Sequence, residues 1–251
     1  MQANVQLLME LLVKNQRPLR LLNKYKGLPI SYEATISAVG ENAVEVHSNR
    51  YQLACLYLQR ETYLRAEEPT LVFHSQVTSL QPGKENAVLT DLVMVENGIG
   101  GRTEIRVEPD ELIMAAVRFD DAPMQIFAPL ADISAGGAGV YIGRDMFPSR
   151  SCHPGAGVFV SVALPDTAAR RASGMLNKPP QKVDVGKVTI TARGKVVTVR
   201  PYPELEHFRV GMELGFKDLA RAVILQYISQ RQNEIIRDLG ILSNELYRRI
   251  G

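Results

Sequence analysis

The sequence has little of what most enzymes and secreted scaffolds depend on. It holds two cysteines, Cys55 and Cys152, far apart and each beside apolar or small residues. A disulfide framework does not fit that count; reduced thiols in a cytosolic compartment do. Four histidines occur, His47, His74, His153 and His207, and no two stand at metal-ligand spacing. Cys152-His153 is adjacent in sequence, which is poor geometry for joint ligation. Charge of one sign is also lacking. The net charge is +2, so composition gives no reason to expect bulk nucleic-acid or membrane binding. No long apolar run is present. The opening MQANVQLLMELLVKN has no basic start and breaks at Glu10 and Lys14, so the expectation is neither a signal peptide nor a membrane span.

Catalytic signatures are absent too. Gly98-Ile99-Gly100 has no third glycine where a dinucleotide fingerprint needs one, since position 103 is Thr103, and no helical pattern follows it. Ser134 has Asp132 two places before it, not glycine, so a nucleophile elbow fails. The carboxylate pairs Asp120-Asp121 and Asp110-Glu111 stand in turn-like or strand-entry positions, where carboxylates are usually solvated. The chain reads as a binding protein and not as an enzyme.

What is present is organised in three blocks. The chain has 251 residues and 45% hydrophobic content, enough for two ordinary domains. The first block opens with an amphipathic helix, Val5 to Val13, with Leu7, Leu8, Leu11 and Leu12 as its apolar stripe. A basic stretch follows, with Arg17, Arg20, Lys24 and Lys26. Strand-like segments then run Tyr32–Val39, Ala43–Ser48, Gln52–Leu58, Thr70–Leu80 and Ala87–Val95. Gly40-Glu41-Asn42 and Gln81-Pro82-Gly83 are turn signals between them. Short strands at this spacing predict a small antiparallel barrel.

Gly98-Ile99-Gly100-Gly101 reads as a flexible joint. Beyond it, strands are expected at Leu112–Phe119, Gln125–Leu130, Gly139–Ile142, Val158–Leu164, Val183–Thr191, Val196–Arg200 and Phe208–Phe216. Pro165–Gln181 is a polar excursion. The third block, Lys217 to Ile250, has apolar residues at helical spacing. Gly240 interrupts it, so the expectation is a long helix, a kink or stop, and a short second helix. Its apolar stripe either covers a barrel end or makes a homodimer contact. The fold class expected is mainly β: two small antiparallel barrels of split or Greek-key type in tandem, with a short N-terminal helix and a C-terminal α-helix. The expected domains are residues 1–97 and 98–251.

Two sequence elements remain. Arg102-Thr103-Glu104-Ile105-Arg106 places two guanidinium groups four residues apart. Past one hairpin comes Asp132-Ile133-Ser134-Ala135-Gly136-Gly137. Singly, each has an ordinary explanation. Arginines near Glu104, Glu108 and Asp110 make surface ion pairs, and Asp-x-Ser before glycines makes turns. In this order and separation they resemble the signature of the PilZ domain family, Arg-x-x-x-Arg followed by (Asp/Asn)-x-Ser-x-x-Gly. His207 to Phe216 resembles that family's last strand, which leads into a C-terminal helix. The first block is similar in layout to the companion domain of YcgR-like two-domain receptors.

The resemblance implies a ligand, cyclic di-GMP, held by Arg102, Arg106, Asp132, Ser134 and Gly137. The chemistry suits it. Guanine offers O6 and N7 to an arginine fork, and phosphates accept charge-assisted bonds from the same group. Asp132 can accept from guanine N1 and N2, Ser134 can donate, and Gly137 permits close approach. The resemblance further implies a cytoplasmic receptor with no other cofactor and no metal. On binding, the arginine segment would fold over the ligand and change the interdomain arrangement. The implied target is a protein of the flagellar motor or of exopolysaccharide synthesis, with no DNA binding and no membrane insertion. Family members often carry a basic residue before the first arginine. Gly101 stands there, which favours one ligand per chain. Two other readings stay open: a PilZ-like interaction scaffold that binds no nucleotide, and an RNA-binding module, which lacks interleaved aromatics near the arginines.

Overall fold

In a computed structural model the described residues are 3–67, 70–96, 104–122, 124–166, 186–202 and 206–250. Internal contacts divide the chain into two units. One holds the described residues up to Glu96 together with those from Glu234 onward; the other is Glu104–Asn233.

The first unit is a closed six-stranded barrel with strand order β1-β2-β3-β6-β5-β4. The strands are β1 Leu19–Tyr25, β2 Leu28–Val39, β3 Ala43–Ser48, β4 Glu61–Ala66, β5 Leu71–Gln81 and β6 Asn86–Met94. Each alternates a buried and a more open position, so one face of every strand fills the interior. Phe73, Leu21, Leu64, Val44, Val46 and Leu89 form the core. Helix α1, Ala3–Lys14, adds Val5, Met9 and Leu12 to it. Its buried stripe is therefore Val5-Met9-Leu12, while Leu7 and Leu11 are exposed. Leu12 belongs to both stripes and Leu8 packs against the core, so the buried stripe lies about a quarter turn from the expected one.

Two strands of this barrel, β1 and β4, are not among the segments expected from the residue pattern, and one expected strand is a helix. β1 reads as a basic stretch, yet Leu19, Leu21 and Asn23 face inward and Arg20 and Lys24 outward. Lys26 and Gly27 both take positive φ, 47° and 83°, and Tyr25 pairs with Leu28 across them. That is the two-residue turn whose twist suits a hairpin. Gln52–Leu58, expected as a strand, is helical. Helix α2 spans Arg50–Gln59, capped by Asn49, whose side chain accepts from the Tyr51 N–H at 2.8 Å. The run is short and apolar, so its period does not separate helix from strand; the cap and its Leu, Ala and Gln content do.

Helix α2 is bound to the barrel by a polar cluster. Gln52 donates to Asn23 Oδ1 at 2.6 Å, Thr62 donates to the same oxygen at 2.8 Å, and Asn23 donates to Gln59 Oε1 at 2.6 Å. Asn23, Gln52 and Thr62 are buried. These hydrogen bonds offset most of the cost of burying the three polar side chains, although Gln52 Oε1 has no partner among the described residues.

The second unit repeats the same connectivity. Its strands are β7 Met114–Phe119, β8 Ile126–Ser134, β9 Gly137–Gly143, β10 Gly157–Pro165, β11 Lys187–Tyr202 and β12 His207–Gly215. They close in the order β10-β11-β12-β9-β8-β7. In both barrels two three-stranded meanders join through the third and sixth strands and through the first and fourth. The two strands expected near Val183–Thr191 and Val196–Arg200 are one strand, β11, with a register shift between Val196 and Thr198. Ala192–Lys195, between the two expected strands, pairs in regular register with Gly157–Val160 of β10, and the bulge falls just beyond it. The core holds Val117, Phe119, Val140, Ile142, Leu164, Val210 and Met212.

Helix α3 runs unbroken from Asp218 to Ile250, so the expected kink at Gly240 does not occur. A mid-helix glycine costs about 1 kcal/mol relative to alanine. Here a Cβ would lie 3.5 Å from the Tyr51 ring, an ordinary contact, so packing does not require the glycine. Among the described residues no helix is long and apolar enough to cross a membrane. The Gly98–Gly101 joint and most of the 165–181 excursion lie outside the described residues.

Candidate functional site: a buried aspartate between two arginines

The site is built on the side of the β8–β9 hairpin that faces away from the core. Ser134 pairs with Gly137 across the two-residue turn Ala135-Gly136, and Asp132 pairs with Gly139. Ala138, Val140 and Ile142 are core residues. By alternation Gly137, Gly139, Tyr141 and Gly143 point the other way. Asp132 and Ser134 share that side, so they are strand residues and not the turn expected of Asp-x-Ser.

Their burial comes from a segment laid over them. Val107 bridges Ile133 in both directions: its N–H donates to Ile133 O at 3.0 Å, and the Ile133 N–H donates back at 3.1 Å. Val107 is fully buried. The segment is held further along by Arg231 of α3, which donates to Glu108 O at 3.2 Å, and by the Leu130 N–H, which donates to Ile113 O at 2.8 Å. Arg106 is thereby brought onto Asp132.

Asp132 is the centre. Arg106 Nη1 donates to its Oδ1 at 3.4 Å, and Arg209 of β12 donates to Oδ2. The carboxylate is 1% exposed, whereas the arginines are 28% and 31% exposed. The numbers decide the geometry: solvent reaches the guanidinium groups but not the anion. A buried carboxylate is costly unless paired, and two guanidinium partners supply the pairing. Each fork carries five N–H donors, so both keep donors in hand for a second acceptor.

Ser134 Oγ lies 3.1 Å from Glu104 Oε2 and 3.3 Å from Gly137 O, either of which can take its single hydrogen. Gly137 is explained by the sheet itself. A Cβ there would stand 2.3 Å from the backbone oxygen of Met212, so only glycine lets β12 approach. Gly139 is tight for a different reason, because its Cβ would meet Asp132 Oδ1 at 3.2 Å. Beside Arg209, Tyr141 stacks obliquely against Tyr202 at 5.9 Å between centroids. Burial pushes the Tyr141 phenol up, while Arg209 pulls it down.

The structure thus brings together four of the five residues singled out from sequence: Arg106, Asp132, Ser134 and Gly137. Arg102 lies outside the described residues. Sequence reasoning missed Arg209, Tyr141 and Glu104 as members of the site. Alternation within His207–Gly215 would have flagged Arg209, since Val210 and Met212 must face the core. Among the described residues no three His, Cys, Asp or Glu side chains gather as a metal site.

The chain is similar, at low identity, to several solved structures. The Bacillus subtilis inhibitor of motility (MotI/DgrA) is 14% identical, with 87% of this chain and 96% of that one covered and a TM-score of 0.43. The K. pneumonia MrkH–c-di-GMP complex is 11% identical, covering 95% and 97%, at a TM-score of 0.42. YcgR from Escherichia coli, in complex with c-di-GMP, is 15% identical, covering 98% and 94%, at 0.33. No protein-family model and no curated protein matches the chain.

Proposed function

We propose that the chain is a cytoplasmic receptor for cyclic di-GMP and that the nucleotide binds on the outer face of the second barrel. The observation that supports this most strongly is the buried Asp132 between Arg106 and Arg209 on a glycine-floored strand pair. Asp132 holds two guanidinium groups with their remaining donors toward solvent. A guanine edge with O6 and N7, or a phosphodiester, satisfies those donors in pairs. Glycines at 137 and 139 let a flat base come near the strand backbone. Arg102, four residues before Arg106 in sequence, is the second arginine assigned to the ligand.

Asp132 then has two roles in sequence. Empty, it orients the arginines. Direct acceptance from guanine N1 and N2 requires Arg106 to swing off Oδ1, exchanging one charge-assisted bond for another. The protein is a binding protein, not an enzyme, and its output is a changed arrangement of the two units that regulates a protein target in motility or surface behaviour.

Titration calorimetry with cyclic di-GMP tests the reading. Wild type binds, and Arg106→Ala loses about 1–3 kcal/mol, roughly ten- to hundred-fold in affinity. No heat with cyclic di-GMP alongside binding of an RNA oligonucleotide overturns it in favour of a nucleic-acid module. Small-angle scattering should change at saturating ligand; identical curves contradict the interdomain output.

A further inference from the structure

The signature carries a carboxylate of its own. Glu104 stands two residues before Arg106, and extended chain alternates sides. The Val107–Ile133 bridge sets the phase. With Val107 turned to the core, Arg106 and Glu104 fall on the opposite side, and continuing the antiparallel register sets Arg106 across from Ser134 and Glu104 across from Gly136. The contacts agree. Glu104 Oε2 is 3.1 Å from Ser134 Oγ. A Cβ at Gly136 would lie 2.8 Å from each Glu104 carboxylate oxygen, so the carboxylate fills the space that the glycine leaves open.

A carboxylate and a phosphodiester ask for the same partners, hydroxyl donors and guanidinium forks. Ser134 has one hydrogen to give. The seat is next to Arg106 and on the face assigned to the ligand, and the chain's own anion is in it. We propose that Glu104 is an internal competitor for this anion seat and thereby sets the affinity of the site. The proposal rests on the cyclic di-GMP reading. A ligand phosphate entering here must displace Glu104 from Ser134 or face it across a short distance as a like charge. The residue acts as a threshold, keeping the site empty at low nucleotide.

The test is calorimetry with cyclic di-GMP at fixed ionic strength on wild type, Glu104→Gln and Glu104→Ala, with each protein's thermal unfolding recorded alongside. Both variants should bind about ten-fold tighter than wild type, the gain expected when one charge-assisted bond no longer has to be broken. The gain should shrink as salt is added, because like-charge repulsion is screened. Equal or weaker binding by Glu104→Gln overturns the proposal while leaving the receptor reading intact; weaker binding would mean that the carboxylate accepts from the ligand. Failure of wild type and both variants to bind at all sinks the receptor reading itself.

Discussion

In the first barrel, β3 turns Ala43, Glu45 and His47 away from the core; in the second, the corresponding strand β9 turns away Gly137, Gly139, Tyr141 and Gly143. Strand order is the same in both. The connection between third and fourth strands differs: the first barrel inserts α2, locked down by Asn23, Gln52 and Thr62, and the second a short turn at Arg144–Met146 and a loop. One barrel spends its unusual polar residues inside, on its own helix. The other sets them outside, where Asp132 holds two arginines that solvent can reach. The topology is shared and the placement of polar groups is opposite: one unit uses them to fix its own helix, the other presents them to solvent.

The largest effect that sharpens this contrast is Asn23→Ala. It leaves the buried Gln52 and Thr62 donors without their acceptor and should cost about 3 kcal/mol. Urea unfolding reads that loss, while cyclic di-GMP affinity should stay within about two-fold because no ligand contact is touched. A large fall in affinity would break the division of labour. Next comes Gly137→Ala. Its Cβ has no room against Met212 O, so a loss of about 1–3 kcal/mol is expected. Arg209→Ala leaves the buried Asp132 with Arg106 alone, so it should lower stability by about 1–3 kcal/mol and also weaken binding roughly ten-fold by calorimetry. Glu45→Ala on β3, an outward position of the first barrel, should stay within about 0.5 kcal/mol.

The sequence pattern carried the two-barrel architecture well, because outward and inward residues alternate cleanly in strands such as Ala43–Ser48 and His207–Gly215. It failed where charge or length disguised the period. Arg20 and Lys24 hid the alternation of β1, and the short apolar run of α2 was ambiguous between helix and strand. Arg193-Gly194-Lys195 falls between two strands expected from sequence but lies inside β11. Gly194 is required there, since a Cβ would meet Glu213 O at 1.9 Å. In the site, Asp132 and Ser134 were legible from spacing alone. Arg209 was not, because it arrives from a strand 77 residues away. Glu104 was visible as a charge near the arginines, but only the Val107 bridge shows which way it faces.

A separate prediction concerns the two thiols, and it shows only at high pH. Burial pushes Cys55 up to about 12 and Cys152 up to about 11. Both should resist an alkylating reagent near neutral pH in the folded chain, Cys55 more than Cys152. The sign of the pH dependence follows. The folded chain holds these protons more tightly than the unfolded one, so stability is unaffected below the ordinary thiol range. It falls as pH rises from about 9 toward the folded values. Thermal unfolding between pH 8 and 11 reads it.

Amide chemical-shift mapping during titration with cyclic di-GMP tests the central claim most directly. The account predicts shifts concentrated at Ser134, Gly136, Gly137, Gly139 and Arg209, with Ala43, Glu45 and His47 of the first barrel unmoved. Shifts confined to the first barrel, or none anywhere at saturation, would contradict it.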